Sequence, residues 1–166
     1  MDLSGPLTAA RRLKHRAMLA RRRWLTEKGR ADARRRSAGA RVAETAWVWP
    51  SARVDPGAVV GAYSWVNEYA QIDAGAVVGR NVGIAPGAYL CTGTHVVGGR
   101  EQRAGEYVTD PCVVEDGCWI GANATILPGV TVAKGCIVAA GAVVTRNTAP
   151  DGLYAGIPAR RVRELP

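Results

Sequence analysis

Two histidines are the residues of this 166-residue sequence best suited to proton transfer near neutral pH. His15 lies in an arginine-rich segment, whereas His95 directly precedes the polar, glycine-rich stretch VVGGREQRAGEY at 96–107. A neutral imidazole at the mouth of such a stretch can act as a general base toward a hydroxyl group. An exposed corner histidine without a role is the competing interpretation. The four cysteines show no metal-ligand spacing such as C-x2-C, so the sequence predicts no metal site.

The residues around His95 follow a period of six. Every sixth residue is aliphatic from Val42 to Leu90 and again from Val108 to Val144, and the residue four positions after each of these is no larger than valine. Three positions after each aliphatic residue the sequence has mostly Gly or Asn, which accept a positive φ in a tight turn. This pattern predicts short strands that end at corners. Three such corners would close a triangular coil.

These hexads resemble those of the hexapeptide-repeat transferases, and two segments make the resemblance specific. The segment YLCTGTH at 89–95 is similar to the YLCTGSH segment of colanic-acid-type acetyltransferases and to the T-G-H corner of maltose and galactoside acetyltransferases. The block 117–165, with a G-x-P-A-R motif at Gly156 to Arg160, is similar to the C-terminal half of the family. The resemblance covers about residues 54–166 and implies an all-β solenoid, a left-handed parallel β-helix of about five coils.

Charge and periodicity divide the chain into three parts. Residues 1–41 contain 13 Lys/Arg against 3 Asp/Glu, a net charge of +10, and their apolar residues recur at helical spacing, so we expect a basic α-helical extension. Residues 42–149 form the predicted β-helix, from which residues 96–107 are extruded as a loop. Residues 150–166 are predicted to form a C-terminal tail.

The resemblance implies an acyl-CoA-dependent O-acetyltransferase that moves an acetyl group from acetyl-CoA to a hydroxyl of a sugar or glycan precursor and needs no metal. His95 would be the general base. Glu106 lies in a GEY segment that resembles the G-E-M-Y of the maltose group and would orient the imidazole; a solvated loop glutamate is the rival interpretation, and Glu101 is a weaker substitute. Backbone N–H groups near Gly121 and Ala122 would donate to the thioester oxygen.

Other residues are assigned to the co-substrate, the acceptor and the subunit contacts. Residues near the C-terminus resemble the family's contacts with coenzyme A: Thr145, Arg146, Arg160 and Arg163. Asn67 corresponds loosely to an active-site asparagine of the maltose group. With the twelve-residue loop removed, the hexads place Trp119 beside Tyr89 on one outer face, an aromatic wall suited to an acceptor ring or the pantetheine arm. Family members are trimers with active sites between neighbours, so we expect a homotrimer.

Several alternatives stay open. The acceptor could be a natural product or an amino group, and a non-catalytic trimeric scaffold or sugar-binding solenoid is the rival outside enzymes. The basic extension could pack across the solenoid, contact an anionic membrane surface peripherally or bind nucleic acid, which its scarcity of aromatic residues disfavours. A carbonic anhydrase of this fold needs three histidine ligands and is excluded. No apolar run is long enough for a membrane span or signal peptide, so we expect a cytoplasmic protein.

Overall fold

The computed structural model describes residues 39–166, so the predicted helical extension, apart from its last residues, lies outside the described residues. From residue 39 onward every regular element is a β-strand. This part of the chain contains no helix that could span a membrane.

Most strands are two residues long, and they follow one another around a triangle to form three parallel sheets. The first sheet contains β1 (Arg41–Val42), β4 (Val59–Val60), β7 (Val77–Val78), β12 (Val113–Val114) and β15 (Thr131–Val132). The second contains β2 (Trp47–Val48), β5 (Trp65–Val66), β8 (Gly83–Ile84), β13 (Trp119–Ile120), β16 (Ile137–Val138), β18 (Gly152–Ala155) and β19 (Arg160–Glu164). The third contains β3 (Arg53–Val54), β6 (Gln71–Ile72), β9 (Tyr89–Leu90), β14 (Thr125–Ile126) and β17 (Val143–Val144).

The interior of this prism is the predicted column of aliphatic and small side chains. Each strand pairs in register with the strand one coil away, as Val60 does with Val78, so equivalent residues of successive coils lie above one another. The aliphatic hexad positions are buried except for Val42, in the first coil, and Val108. Cys112, Cys118 and Cys136 fill small core positions as free thiols. The hexad pattern is thus confirmed as the pattern of the core.

The corners use the left-handed backbone conformation that the Gly and Asn positions predict. Positive φ angles occur at Gly57, Gly75, Asn81, Gly87, Gly117, Asn123, Gly129, Gly135 and Gly141. Two tyrosines, Tyr63 and Tyr69, adopt the same conformation with φ of 59° and 57°. Large L-residues rarely occupy this region because their Cβ crowds the backbone. The period of six predicts corners at these two positions, but tyrosine does not predict their positive φ.

The predicted loop at 96–107 is an antiparallel β-hairpin. Its strands are β10 (Gly93–Val97) and β11 (Ala104–Thr109), and it leaves the prism at the corner between the third and the first sheets. Val108 pairs with Thr94 inside the hairpin and so does not belong to a coil. The coils resume at β12, later than predicted.

This difference corrects the predicted stacking of the outer side chains. Counting Val108 as a coil residue moves every later strand onto the wrong sheet. In the structure Tyr89 pairs with Thr125 on the third sheet, whereas Trp119 pairs with Gly83 and Ile137 on the second. Tyr89 and Trp119 therefore lie on different faces, and the aromatic wall predicted from these two residues does not form.

The C-terminal end of the prism is closed by an irregular sixth coil. The five complete coils agree with the predicted number, and residues 145–159 add one more turn. In this turn Thr148 donates to the carbonyl oxygen of Thr131, and β18 pairs with β16. Strand β19 then returns antiparallel to β18. The predicted tail at 150–166 is therefore a structured cap.

Candidate functional site

His95 lies on β10, directly opposite Tyr107 of β11, and its side chain is exposed. Its Nδ1 atom lies 2.8 Å from the carbonyl oxygen of Gly105. A carbonyl oxygen can only accept a hydrogen bond, so this contact requires the hydrogen on Nδ1 and leaves a free lone pair on Nε2 of the neutral ring. The hairpin thus holds His95 in a tautomer suited to general-base chemistry.

Glu106 does not lie where its predicted role requires. Side chains alternate between the two faces of a strand, and Tyr107 shares a face with His95, so Glu106 projects from the opposite face of the hairpin. Within the described residues its carboxylate forms no hydrogen bond or ion pair. The backbone carbonyl of Gly105 occupies the position at Nδ1 that we assigned to this carboxylate.

Tyr107 is a neighbour of His95 that sequence reasoning missed. Its ring meets the imidazole edge-on, with ring centroids 5.4 Å apart and ring planes at 70°. Its hydroxyl lies over Gly93, where an added Cβ atom would collide with it. The adjacent glycines Gly98 and Gly99 are the one signal of a hairpin in this stretch, but a two-residue turn at these glycines would place Gln102, and not Tyr107, opposite His95.

Tyr89 is engaged within the third sheet. Its hydroxyl donates to Oδ2 of Asp73 at 2.7 Å, and Nε2 of Gln71 donates to Oδ1 of the same carboxylate at 2.8 Å. The neighbouring Cys91 thiol, burial of the phenol and the Asp73 carboxylate raise the pKa of Tyr89 above its usual value. Tyr89 is therefore a neutral hydrogen-bond donor whose hydrogen is already shared with Asp73.

Trp119 lies on the outer surface of the second sheet and is 57% exposed. Instead of Tyr89, its aromatic neighbours along this sheet are Trp65, two strands away, and Tyr63 at the preceding corner. These three side chains line one open cavity of about 560 Å³. The aromatic surface beside Trp119 is therefore formed by Trp65 and Tyr63, and not by the predicted Tyr89.

The two backbone donors predicted at residues 121 and 122 differ in availability. The N–H of Gly121 donates to the carbonyl oxygen of Val138 at 2.8 Å, as part of the coil-to-coil bonding, and so is occupied. The N–H of Ala122 forms no hydrogen bond among residues 39–166. Of this pair, Ala122 alone can donate to a bound carbonyl oxygen, which corrects the assignment for Gly121.

The predicted coenzyme A residues lie around the C-terminal coil. Arg146 and Arg160 line a cavity of about 160 Å³ together with Arg161, which sequence reasoning did not single out. Thr145 directly follows β17, and Arg163 lies on β19 opposite Leu153. The structure therefore brings two of the four residues into one cavity and leaves the other two on adjacent surfaces.

Asn67 has a structural contact at the corner between the second and third sheets. Its Nδ2 atom donates to the carbonyl oxygen of Ile84, one coil away, at 2.8 Å. This bond ties neighbouring coils together, so the amide nitrogen is not available to a substrate, while the Oδ1 atom forms no hydrogen bond within the described part of the chain. Groups of at least three metal-ligating side chains are also absent from residues 39–166.

Comparison with protein families matches residues 111–146 to the bacterial transferase hexapeptide family, a model of six repeats. Among curated proteins, galactoside O-acetyltransferase of Escherichia coli K12 is 32% identical over 85 residues, which are 51% of this chain and 42% of that protein. The chain spans less than half the length of the curated relatives it matches.

Comparison with solved structures extends the match through most of the described residues. A hexapeptide-repeat-containing acetyltransferase of Vibrio cholerae, complexed with acetyl coenzyme A, superposes with a TM-score of 0.70 at 30% identity, covering 80% of this chain and 74% of that one. A galactoside acetyltransferase in complex with coenzyme A gives a TM-score of 0.68 at 30% identity, with 77% and 66% coverage. These neighbours are left-handed β-helices, so the coils have the handedness that the resemblance implies. The family match and the similarity to these solved structures show that the chain belongs to the hexapeptide-repeat acetyltransferase family.

Proposed function

We propose that this protein transfers an acetyl group from acetyl-CoA to a hydroxyl of a sugar or glycan precursor, with His95 as the general base. The observation that carries the proposal is the hydrogen bond between Nδ1 of His95 and the carbonyl oxygen of Gly105, because it leaves Nε2 unprotonated in the neutral ring. The acetyl-CoA complex of the Vibrio cholerae relative and the galactoside acetyltransferases among the relatives support the choice of co-substrate and acceptor.

The reaction needs one proton acceptor and one donor to the developing oxyanion. Nε2 of His95 removes the hydroxyl proton while the acceptor oxygen forms a bond to the thioester carbonyl carbon. The N–H of Ala122 donates to the negatively charged oxygen of the tetrahedral intermediate. When the carbon–sulfur bond breaks, the coenzyme A thiolate leaves and takes the proton from the imidazolium, so the products are an acetyl ester and free coenzyme A.

Coenzyme A is expected to bind along the C-terminal half of the prism. Arg146, Arg160 and Arg161 line the cavity at this end, and guanidinium groups bind phosphates through charge-assisted hydrogen bonds. The corner that contains Ala122 lies on the N-terminal side of this cavity, beside Trp119. An extended pantetheine arm would run from the arginines toward that corner.

Within a single protomer His95 and Trp119 lie on opposite sides of the prism. The hairpin that carries His95 leaves the corner between the third and first sheets, and that corner is opposite the second sheet, which carries Trp119. We therefore propose a homotrimer in which the hairpin of one subunit faces the second sheet of its neighbour. The exposed apolar side chains Val97 and Tyr107 on the hairpin support such a contact.

The test is coenzyme A release, quantified by chromatography, from acetyl-CoA with a panel of sugars as acceptors. His95→Ala should lower kcat by about 10²- to 10⁴-fold, the usual contribution of a general base. His15→Ala, which removes the other histidine, should keep full activity and serves as the matched control. Equal activity of the wild type and His95→Ala, or a wild type without turnover on any sugar, would contradict the proposal.

A further inference from the structure

The aromatic ring of Tyr107 lies beside the base, and the catalytic proposal does not use it. Tyr107 belongs to the two-stranded hairpin sheet, outside the prism, and is 61% exposed, so its ring is no part of the core. Within residues 39–166 its hydroxyl forms no hydrogen bond. The ring contacts the imidazole of His95 and lies over Gly93. The coils therefore do not require this tyrosine, whereas the base lies directly against it.

Gly93 provides the space that the phenol occupies. It lies two residues before His95, which pairs with Tyr107, so positions 93, 95 and 107 share one face of the hairpin. A Cβ atom on Gly93 would lie 2.8 Å from Cζ and 2.9 Å from Cε2 of Tyr107, closer than packed carbon atoms come. The backbone at Gly93 does not adopt a positive φ, so its conformation does not require glycine. The missing side chain is thus explained by the ring that lies over it.

The phenol restricts where the imidazole can lie. A histidine on a β-strand has two common χ1 rotamers, so an unhindered imidazole would move between two positions. On the Gly93 side of His95 the strand carries no side chain, and the ring of Tyr107 fills that space. Toward the tip of the hairpin, the carbonyl oxygen of Gly105 lies 2.8 Å from Nδ1. With the space over Gly93 closed, the imidazole stays in the orientation that donates to Gly105.

This orientation determines which ring nitrogen can accept a proton. If the imidazole turned away from Gly105, its hydrogen would be shared between Nδ1 and Nε2, and the molecules with the hydrogen on Nε2 could not take a hydroxyl proton. We infer that Tyr107, seated over Gly93, is a positioning residue that holds His95 in the Nδ1–H tautomer. This inference rests on the proposed function for its effect on catalysis but not for its effect on the tautomer.

The tautomer is measured first, without substrates, by NMR that correlates the ring hydrogens of labelled histidine with the ring nitrogens. Every protein is full-length and carries His15→Ala, which leaves His95 as the one histidine of the sequence. A pH series identifies the neutral ring. The parent should show a protonated Nδ1 and an unprotonated Nε2, and Tyr107→Ala should shift both nitrogens toward a mixture of tautomers. Tyr107→Phe, which keeps the ring, should match the parent. A parent without the Nδ1–H tautomer overturns the inference.

A matched pair of glycine variants tests the same contact from its other side. Gly93→Ala adds the Cβ atom that displaces the phenol, whereas Gly99→Ala makes the same exchange in the same hairpin with no atom within 4 Å. Gly93→Ala should reproduce the mixed tautomers of Tyr107→Ala, and Gly99→Ala should not. Combining Gly93→Ala with Tyr107→Ala should add no further change, because both remove one contact. A tautomer that neither single variant changes overturns the inference.

The acetyl-transfer assay then measures what the orientation contributes to turnover. Tyr107→Ala and Gly93→Ala should each lower kcat about tenfold, because a displaced base is out of line with the hydroxyl, and should change the KM of acetyl-CoA little. Tyr107→Phe should keep most of kcat, because the ring and not the hydroxyl closes the space over Gly93. An equal loss of kcat in Tyr107→Phe and Tyr107→Ala would assign the effect to the hydroxyl and overturn the inference.

The outcomes separate this inference from the proposed function. Mixed tautomers in Tyr107→Ala, without acetyl transfer in the wild type, would preserve the positioning role and reject the transferase. Transfer to sugars in the wild type, with a tautomer and a kcat that Tyr107→Ala leaves unchanged, would preserve the transferase and reject the positioning role. If Tyr107→Ala instead dissociates the oligomer in sedimentation experiments and leaves the tautomer unchanged, Tyr107 is a subunit contact and the inference is wrong.

Discussion

At the scale of single residues, the partner of His95 determines what the base can do. The carbonyl oxygen of Gly105 fixes the tautomer through a neutral dipole at 2.8 Å. A carboxylate in its place would also stabilise the imidazolium that forms when the proton is taken. The carbonyl supplies orientation only, and it leaves Nε2 free to accept the hydroxyl proton.

A first prediction follows for Glu106, whose side chain projects away from His95. Glu106→Gln should keep kcat within about twofold of the wild type, because no charge is removed from the imidazole's hydrogen bond. Steady-state acetyl transfer measures this, with His95→Ala as the inactive reference. A loss of tenfold or more would mean that the carboxylate reaches the site, for example in a neighbouring subunit.

The cysteines give a second prediction. Burial raises the pKa of Cys112 and of Cys118 to about 12. At pH 8 only about 1 in 10,000 of such thiols is a thiolate, the form that reacts with iodoacetamide. Cys136 is fully buried, whereas Cys91 is partly exposed. Native alkylation followed by peptide mass spectrometry should therefore find Cys91 modified first, and Cys91→Ser should remove the fast phase. Equal labelling of Cys118 would contradict the packed core.

The sequence predicts the residues of the core better than those of the surface. Aliphatic side chains repeat because every coil presents the same interior, so Ile72 and Leu90 can be placed without any knowledge of the exterior. The conformation of Tyr63 and Tyr69 has no such signal, because tyrosine ordinarily avoids positive φ. The tautomer of His95 depends on a backbone carbonyl, which no residue type encodes.

At the scale of elements, the hairpin explains the one error in the predicted stacking. From Val96 to Val113 the inserted segment has eighteen residues, or three hexads, so it returns the chain to the same phase of the repeat. Val108 fits that phase by its type, although it pairs with Thr94 in the hairpin. The period of six alone therefore cannot show whether Val108 lies inside or outside the prism.

A third prediction tests whether the eighteen-residue insertion preserves the phase of the six-residue repeat. Deletion of residues 96–113 should leave a folded prism, because Val114 then follows His95 and remains on the first sheet. Deletion of residues 96–107 should cost more stability, because it makes Val108 a core residue and moves Trp119 to the third sheet. Thermal unfolding followed by circular dichroism compares the two. A higher melting temperature for the shorter deletion would show that Val108 can serve as a coil residue.

At the scale of the whole molecule, the triangular cross-section separates the base from the aromatic face. A trimer would bring the base and the aromatic face together through three identical contacts, each between the hairpin of one subunit and the second sheet of its neighbour. Function would then depend on residues of two subunits at every site. A variant that lacks His95 and a variant that is altered in the second sheet should therefore restore activity when they share a trimer.

A fourth prediction uses this dependence. His95→Ala and Arg160→Glu, the latter on β19 of the second sheet, should each be inactive in acetyl transfer. Refolded together in equal amounts, they should recover about a quarter of the wild-type activity, because half of the hairpins and half of the second sheets are intact and each site draws one of each. Separately refolded proteins that are mixed afterwards are the control. No recovery in the co-refolded sample would place both halves of a site within one subunit.

The antiparallel pair of β18 and β19 at the C-terminal end has a consequence beyond catalysis. A stack of identical triangular coils is open-ended by nature, since each new coil offers the next the same row of unpaired backbone groups. Strand β19 reverses direction and presents Arg160, Arg161 and Arg163 at the end of the second sheet. A second prism that continued the parallel stack would meet this reversed, arginine-bearing strand at the end of the second sheet. Strand β19 thus also covers that end against head-to-tail extension into a fibre.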